Sequence, residues 1–319
     1  YVVTFDHRDV GLSRYYDELG TPALTDAIAT LQQGQSYQPP YTLNDMAEDV
    51  LDVMNELHIT QAHLVGMSMG GIIAQIMAIT YPERTQSLTC MATSSGDPGL
   101  PPPTPAVMEF FFSPPEKTAD LHALVKRHVA QYTLYNHADD LDIPACTALH
   151  QSAYSRAYHP EGNHRQLLAT MAAAPRGKQL ANVTLPSLII HGSEDPMTPP
   201  EHGRQLAAIL PQSTLLMIDK MGHGLPKRVC QLALPALISH FRKTETDINH
   251  NQPHDFDDRG FETTQNARGF MHTLNDISHA FIAFSADAPG LIVDIGAAYG
   301  VATLPIIQQG HSHLHKRFE

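Results

Sequence analysis

The sequence predicts an α/β protein in which a mostly parallel sheet is covered by helices on both faces, with a helical cap inserted between two strands. Three observations carry this prediction. Short apolar runs alternate with segments of helical periodicity over residues 1–242, the pattern of βα units closing a parallel sheet. Polar, glycine-containing turns follow the runs. The rhythm breaks once, between Asp97 and Leu185, where a proline cluster, the triplet Phe110–Phe112 and several helical segments intervene.

The elements follow in order. Val2–Phe5 reads as a buried strand closed by the polar turn Asp6–Ser13. A helix is expected over Leu43–His58, opened by Thr42 with Asp45 three residues on, a capping-box-like start. Met46, Val50, Val53, Met54 and Leu57 form its apolar stripe, with Glu48, Asp49, Asp52 and Glu56 facing away. Ala62–Val65 is a short buried strand and Gly66–Gly71 a turn. Ile72–Ile79 is apolar nearly all round, a buried helix stopped by Pro82. Strands Leu88–Met91, Ser187–His191 and Thr214–Ile218 and helices Glu201–Leu210 and Lys227–Phe241 complete the series, with a kink expected at Pro235. Residues 243–260 read as a polar linker, Phe261–Ser285 as helical and Leu291–Ile295 as a buried strand.

Composition excludes several functions. A net charge of −13 with no basic stripe argues against nucleic-acid binding. Cys90, Cys146 and Cys230 are too far apart for a zinc motif and too few for a disulfide framework. They read as reduced, buried thiols of a cytoplasmic protein. No apolar run is long enough to span a bilayer, so no membrane partner is expected. The opening on Tyr1 inside a strand-like run reads as a fragment.

Gly66-Met67-Ser68-Met69-Gly70 fits G-x-S-x-G, with a strand before it and a helix after. A tight strand-to-helix turn exposes the Ser68 hydroxyl, and the helix N-terminus offers N–H groups to a developing oxyanion. A serine hydroxyl needs a base, and the base an orienting acid. In the chain order Ser, acid, His, the loop after Ser187–His191 supplies Asp195 and the next strand leads to His223 between glycines. Glu194 and Asp97 are the competing acids. Among 20 histidines His223 stands out by position, whereas His191 at a strand end is expected to bond locally.

These segments, with Leu185–Gly192 and Met221-Gly222-His223, resemble the α/β-hydrolase superfamily over residues 1–242. Phe5–Asp9, Gly-Met-Ser-Met-Gly-Gly and Gly222–Pro226 are similar to its aclacinomycin methylesterase-like branch. The resemblance implies an α/β-hydrolase fold with a cap at about 97–184, and hydrolysis of a small-molecule carboxylic ester through an acyl-enzyme. Ser68 would be the nucleophile, His223 the base, Asp195 the orienting acid and the Met69 N–H an oxyanion donor. No metal or organic cofactor is implied for it. The same triad could serve a C–C hydrolase, a thioesterase or a perhydrolase, and a non-catalytic or split-gene fragment is the competing class.

Two departures from that family follow. Its third strand, which lies between the strand matching Val2–Phe5 and the elbow strand, and the loop giving the second oxyanion donor have no counterpart before Asp6. That leaves buried strand edges unpaired and predicts a loss of about 100- to 1,000-fold in rate, so the chain alone is expected to be weak or inactive. Leu291–Gly300 resembles the first motif of class I S-adenosylmethionine-dependent methyltransferases, making residues 261–319 a partial segment of that kind. The resemblance implies S-adenosylmethionine contacts at Asp294, Gly296 and Gly300, without the later acidic strand needed to complete a site. A further arrangement, disfavoured by the crossing rules, puts Leu291–Ile295 into the missing strand's slot.

Overall fold

The computed structural model describes residues 2–113, 120–244 and, as backbone, 292–295. Among the described residues six parallel strands form one sheet, β1 (Val2–Thr4), β2 (Ala62–Met67), β3 (Thr85–Met91), β4 (Ser187–Gly192), β5 (Ser213–Ile218) and β6 (Ile292–Ile295), in the order β1-β6-β2-β3-β4-β5. This is the α/β fold with a parallel sheet that the alternation of elements predicted.

The two-residue period of the strands divides the core into two layers. On one face Leu64, Leu88, Cys90 and Ile189 pack with α2 (Leu43–Glu56), α3 (Met69–Thr80) and α9 (Glu201–Ile209). On the other Val65, Leu188, Ile190 and Ile218 meet Val229, Ala233, Leu237 and Phe241 of α10 (Lys227–Thr244). Each fully buried aliphatic chain contributes about 1.5–3 kcal/mol. The predicted stripe of α2 is the buried one at Met46, Val50 and Met54, while Val53 and Leu57 are partly covered. Its capping box is present: the Thr42 hydroxyl accepts from the Asp45 N–H at 3.2 Å, and the Asp45 carboxylate accepts from the Thr42 N–H at 2.6 Å.

Between β3 and β4 lie α4 (Pro105–Phe112), α5 (Leu121–Tyr135), α6 (Ile143–Arg156), α7 (Pro160–Met171) and α8 (Gly177–Leu180). A helix the sequence reading did not single out, α1 (Leu24–Gln32), follows the first turn. The turn Asp6–Ser13 is tied down on two sides. Arg8 grips Asp49 of α2 through two hydrogen bonds of 2.6 and 2.8 Å. Asp9 receives two from Arg165 of α7, at 2.7 and 2.8 Å, with both side chains fully buried. Burial raises the Asp9 carboxyl, but Arg165 and the Tyr16 N–H outweigh it and hold Asp9 below the usual carboxylate range.

The edges of β1 and β2 were expected to face an empty slot. Instead β6 lies between them, with Val3 opposite Val293 and Gly66 opposite Ile295. A buried strand edge carries unpaired N–H and C=O groups, and three consecutive residues of β6, Ile292, Val293 and Asp294, pair in both directions. Closing that ladder is the physical reason for overriding the preference for short connections. The segments read as a linker (243–260, beyond Thr244) and as a helix (261–285) lie outside the described residues. The three cysteines are free and buried, and burial pushes the thiols of Cys90 and Cys230 up to about 12 and that of Cys146 to about 11. No described helix is long and apolar enough to cross a membrane.

Candidate active site

The site is built at the carboxyl ends of β2, β4 and β5, where open parallel sheets gather their functional loops. Ser68 joins β2 to α3 with φ 52° and ψ −120°, a left-handed backbone that a serine adopts at a cost of about 1–3 kcal/mol. Its surroundings hold it there. The Ser68 N–H donates to the Met91 carbonyl at 2.9 Å, while the Ser68 carbonyl accepts from the Thr93 hydroxyl at 2.7 Å and the Ile72 N–H at 3.2 Å. A Cβ at Gly66 would meet the carbonyl of Gly70. The tight turn therefore needs glycine at 66.

Asp195 lies in the loop after β4 and His223 in the loop after β5. Their side chains meet Ser68 in one line. The Ser68 hydroxyl donates to His223 Nε2 across 3.0 Å, and His223 Nδ1 donates to Asp195 Oδ2 across 2.8 Å. This assignment of the ring protons follows from the partners, since a carboxylate only accepts. Asp195 is fully buried, and Oδ1 accepts from the N–H groups of Met197 and Thr198 at 2.9 and 2.8 Å. Burial pushes its carboxyl up, but the His223 charge and hydrogen bond, with the Thr198 N–H, outweigh it. Asp195 is thereby held below the usual carboxylate range, ionised and facing the imidazole.

Met69 opens α3, so its N–H lacks a partner within the helix. It stands beside the Ser68 hydroxyl in sequence, at the positive end of the helix dipole.

The competing acids have other work. Asp97 accepts from the Gly177 N–H at 3.0 Å and from the Gln205 amide at 3.2 Å, joining the loop after β3 to α8 and α9. The Glu194 side chain is half exposed. His191 is buried and donates from Nε2 to the Thr198 carbonyl at 2.7 Å, the local bond expected of it.

The cap rests on the base. The His223 N–H donates to the Tyr135 carbonyl at the end of α5 at 2.7 Å, and the two rings meet edge to face at 5.9 Å. Arg228 clamps the segment after α5 through two bonds to Asp140, at 2.7 and 2.6 Å. Thr93, Tyr135 and Thr198 were not read from the sequence as part of the site. Only Thr198 carried a local signal, as the third residue after an aspartate that opens a turn. The others arrive from distant segments.

Of the three residues proposed for S-adenosylmethionine, only the backbone of Asp294 is described. Asp294 is the third residue of β6, paired with Thr4 on one side and Val65 on the other. Gly296 and Gly300 lie outside the described residues, and no step is derived through that cofactor.

The sequence pattern of the alpha/beta hydrolase fold matches residues 2–226. Rhodomycin D methylesterase DauP of Streptomyces sp. (strain C5) is 29% identical over 262 residues, covering 76% of this chain and 81% of that protein. A 2-hydroxy-6-oxononadienedioate/2-hydroxy-6-oxononatrienedioate hydrolase of Cupriavidus pinatubonensis is 28% identical over 177 residues, covering 54% of this chain and 58% of its own. Among solved structures, the meta-cleavage product hydrolase CumD of Pseudomonas fluorescens IP01 superposes with a TM-score of 0.52 at 15% identity, over 76% of this chain and 89% of that one. That likeness concerns the fold.

Proposed function

The chain belongs to the alpha/beta hydrolase fold family, and from that membership we propose that it is a serine hydrolase of the carboxylesterase type. The observation that carries the proposal is the relay of 3.0 and 2.8 Å from Ser68 through His223 to buried Asp195. In the proposed mechanism His223 Nε2 takes the hydroxyl proton as Ser68 Oγ attacks the ester carbon. Asp195 keeps the imidazole in the Nδ1–H tautomer and stabilises the imidazolium. The carbonyl oxygen becomes an oxyanion beside the Met69 N–H at the start of α3. Collapse of the tetrahedral adduct breaks the bond to the alcohol, which leaves with the His223 proton. A water activated by His223 then hydrolyses the acyl-Ser68 ester. Every proton and charge in this scheme is carried by the chain's own groups, so the proposal invokes no metal or organic cofactor.

The substrate class is a small carboxylic ester, and the relation to a rhodomycin D methylesterase makes a methyl ester the first to try. The second reading, hydrolysis of a carbon–carbon bond by the same relay, is supported by the relative that hydrolyses 2-hydroxy-6-oxononadienedioate. A fluorophosphonate probe tests the nucleophile, and methanol release from a panel of methyl esters tests the reaction. Labelling is expected in the parent protein, with turnover slowed by the lack of the second oxyanion donor, and both are expected to be absent in Ser68→Ala. A folded parent that neither labels nor turns over any ester would overturn the proposal.

A further inference from the structure

Thr198 spends three of its polar groups on the acid and its surroundings. Its N–H donates to Asp195 Oδ1 at 2.8 Å, and its hydroxyl donates to Asp195 Oδ2 at 2.9 Å. Its carbonyl accepts from buried His191 at 2.7 Å. The hydroxyl oxygen also lies 3.3 Å from His223 Nδ1. Asp195 Oδ2 thus takes two donors, the imidazole and a hydroxyl, which fill both its acceptor sites. Oδ1 is already met by two backbone N–H groups. The hydroxyl is the side-chain donor that shares the carboxylate with the base, and its place is on the one oxygen that faces the base.

We propose that Thr198 is a positioning residue of the hydrolase site, its hydroxyl sharing Asp195 Oδ2 with His223 and so setting how tightly the acid holds the protonated base. This rests on the serine-hydrolase reading. A hydroxyl that donates to Oδ2 draws negative charge from the oxygen that attracts the imidazolium. Without it, Asp195 binds the protonated imidazole more strongly. The base then stays protonated to higher pH and returns its proton to the leaving group less readily. His191 holds the Thr198 carbonyl and thereby the turn that aims the hydroxyl. The groups facing His223 are Asp195 and His191 from β4 and its loop, Tyr135 from α5 and Ser68 from the elbow, with His202 of α9 beyond His191. All remain in a Thr198 variant.

The test uses the full chain and p-nitrophenyl butyrate, with kcat and KM measured across pH 5 to 9 (a range set about the ordinary histidine value). Thr198→Val keeps the backbone bonds and removes the hydroxyl. The acidic limb of kcat/KM is expected to move up by roughly half to one pH unit, with kcat down about 3- to 30-fold and KM within about twofold. Thr198→Ser restores the donor and is expected to keep the parent limb. The downfield Nδ1–H proton resonance of His223 reports the same bond without turnover, and should move in Thr198→Val only. If Thr198→Val fails to fold, Thr198→Ala replaces it with the same expectation. A parent-like limb and resonance in the folded variant, or a shifted limb in Thr198→Ser, would overturn the proposal. Activity that survives Ser68→Ala would instead overturn the reading beneath it.

Discussion

The backbone N–H of His223 donates to the carbonyl of Tyr135 at 2.7 Å, so the base of the site is seated on the last turn of a cap helix. Gly222 makes the approach feasible, since a Cβ there would meet the Tyr135 carbonyl. Gly222→Ala is therefore expected to push the loop away from α5 and lower kcat about 10- to 100-fold, the order associated with a misplaced catalytic group. Turnover of p-nitrophenyl butyrate beside a thermal melt checks this. Parent-like kcat would show that the cap does not set the position of His223.

The acid is distinguished from its nearest rival by partners. Asp195→Asn replaces the carboxylate that receives His223 Nδ1, and is expected to lower kcat by about a thousandfold or more. Asp97→Asn touches the contacts to Gly177 and Gln205 and the charge facing Arg176, all away from His223, and should stay within about fivefold of the parent. Equal losses in the two variants would refute the assignment of the acid.

Removing Asp9 leaves Arg165 fully buried with Asp17, at 2.9 Å, as its acidic partner among the described residues. Asp9→Ala should destabilise the protein by about 3 kcal/mol, because a buried charge loses its closest counter-ion. Urea unfolding followed by circular dichroism measures it. A change below about 1 kcal/mol would mean that Arg165 finds water or relaxes.

Acid should weaken the fold before the carboxylates titrate. Burial holds the His63 imidazole down to about 4 and that of His128 to about 3. Both are neutral in the folded protein and charge on unfolding, so the unfolded chain binds more protons below about pH 6.5. Stability is thus full above that value and falls as pH drops towards 4, by on the order of 2–3 kcal/mol for His63. Only at lower pH do the depressed carboxyls of Asp9 and Asp195 add their own loss. Melting temperatures at pH 7.5, 5.5 and 4.5 (points spanning the shifted range) should decline in that order, and less steeply in His63→Gln. A flat profile would contradict the neutral, buried state of His63.

Strand β6 offers a backbone test. Val293 pairs with Val3 on one side and Leu64 on the other, and proline there deletes a ladder hydrogen bond and clashes with the neighbouring strand. Val293→Pro is expected to cost about 1–3 kcal/mol. An unchanged denaturation midpoint would show that β6 does not hold β1 to β2.

The parts of this protein legible in its sequence are those whose cause is local. The capping box at Thr42 and Asp45, the stripe of α2, the glycines around Ser68 and the strand-then-acid and strand-then-histidine patterns each act within a few residues. Side-chain periodicity and turn sterics leave their mark at that range. From them came the parallel sheet and the three residues Ser68, Asp195 and His223, which the fold brings into one hydrogen-bonded line. The rest was decided by tertiary structure. Nothing near Thr198 says that its hydroxyl points to the same oxygen as His223, and nothing near Tyr135 says that its carbonyl will take the N–H of a residue 88 positions away, 223 less 135. The slot between β1 and β2 is the strongest case. It is filled by four residues from beyond position 290 because buried backbone groups must pair, and that demand is met by whichever strand the whole chain can supply.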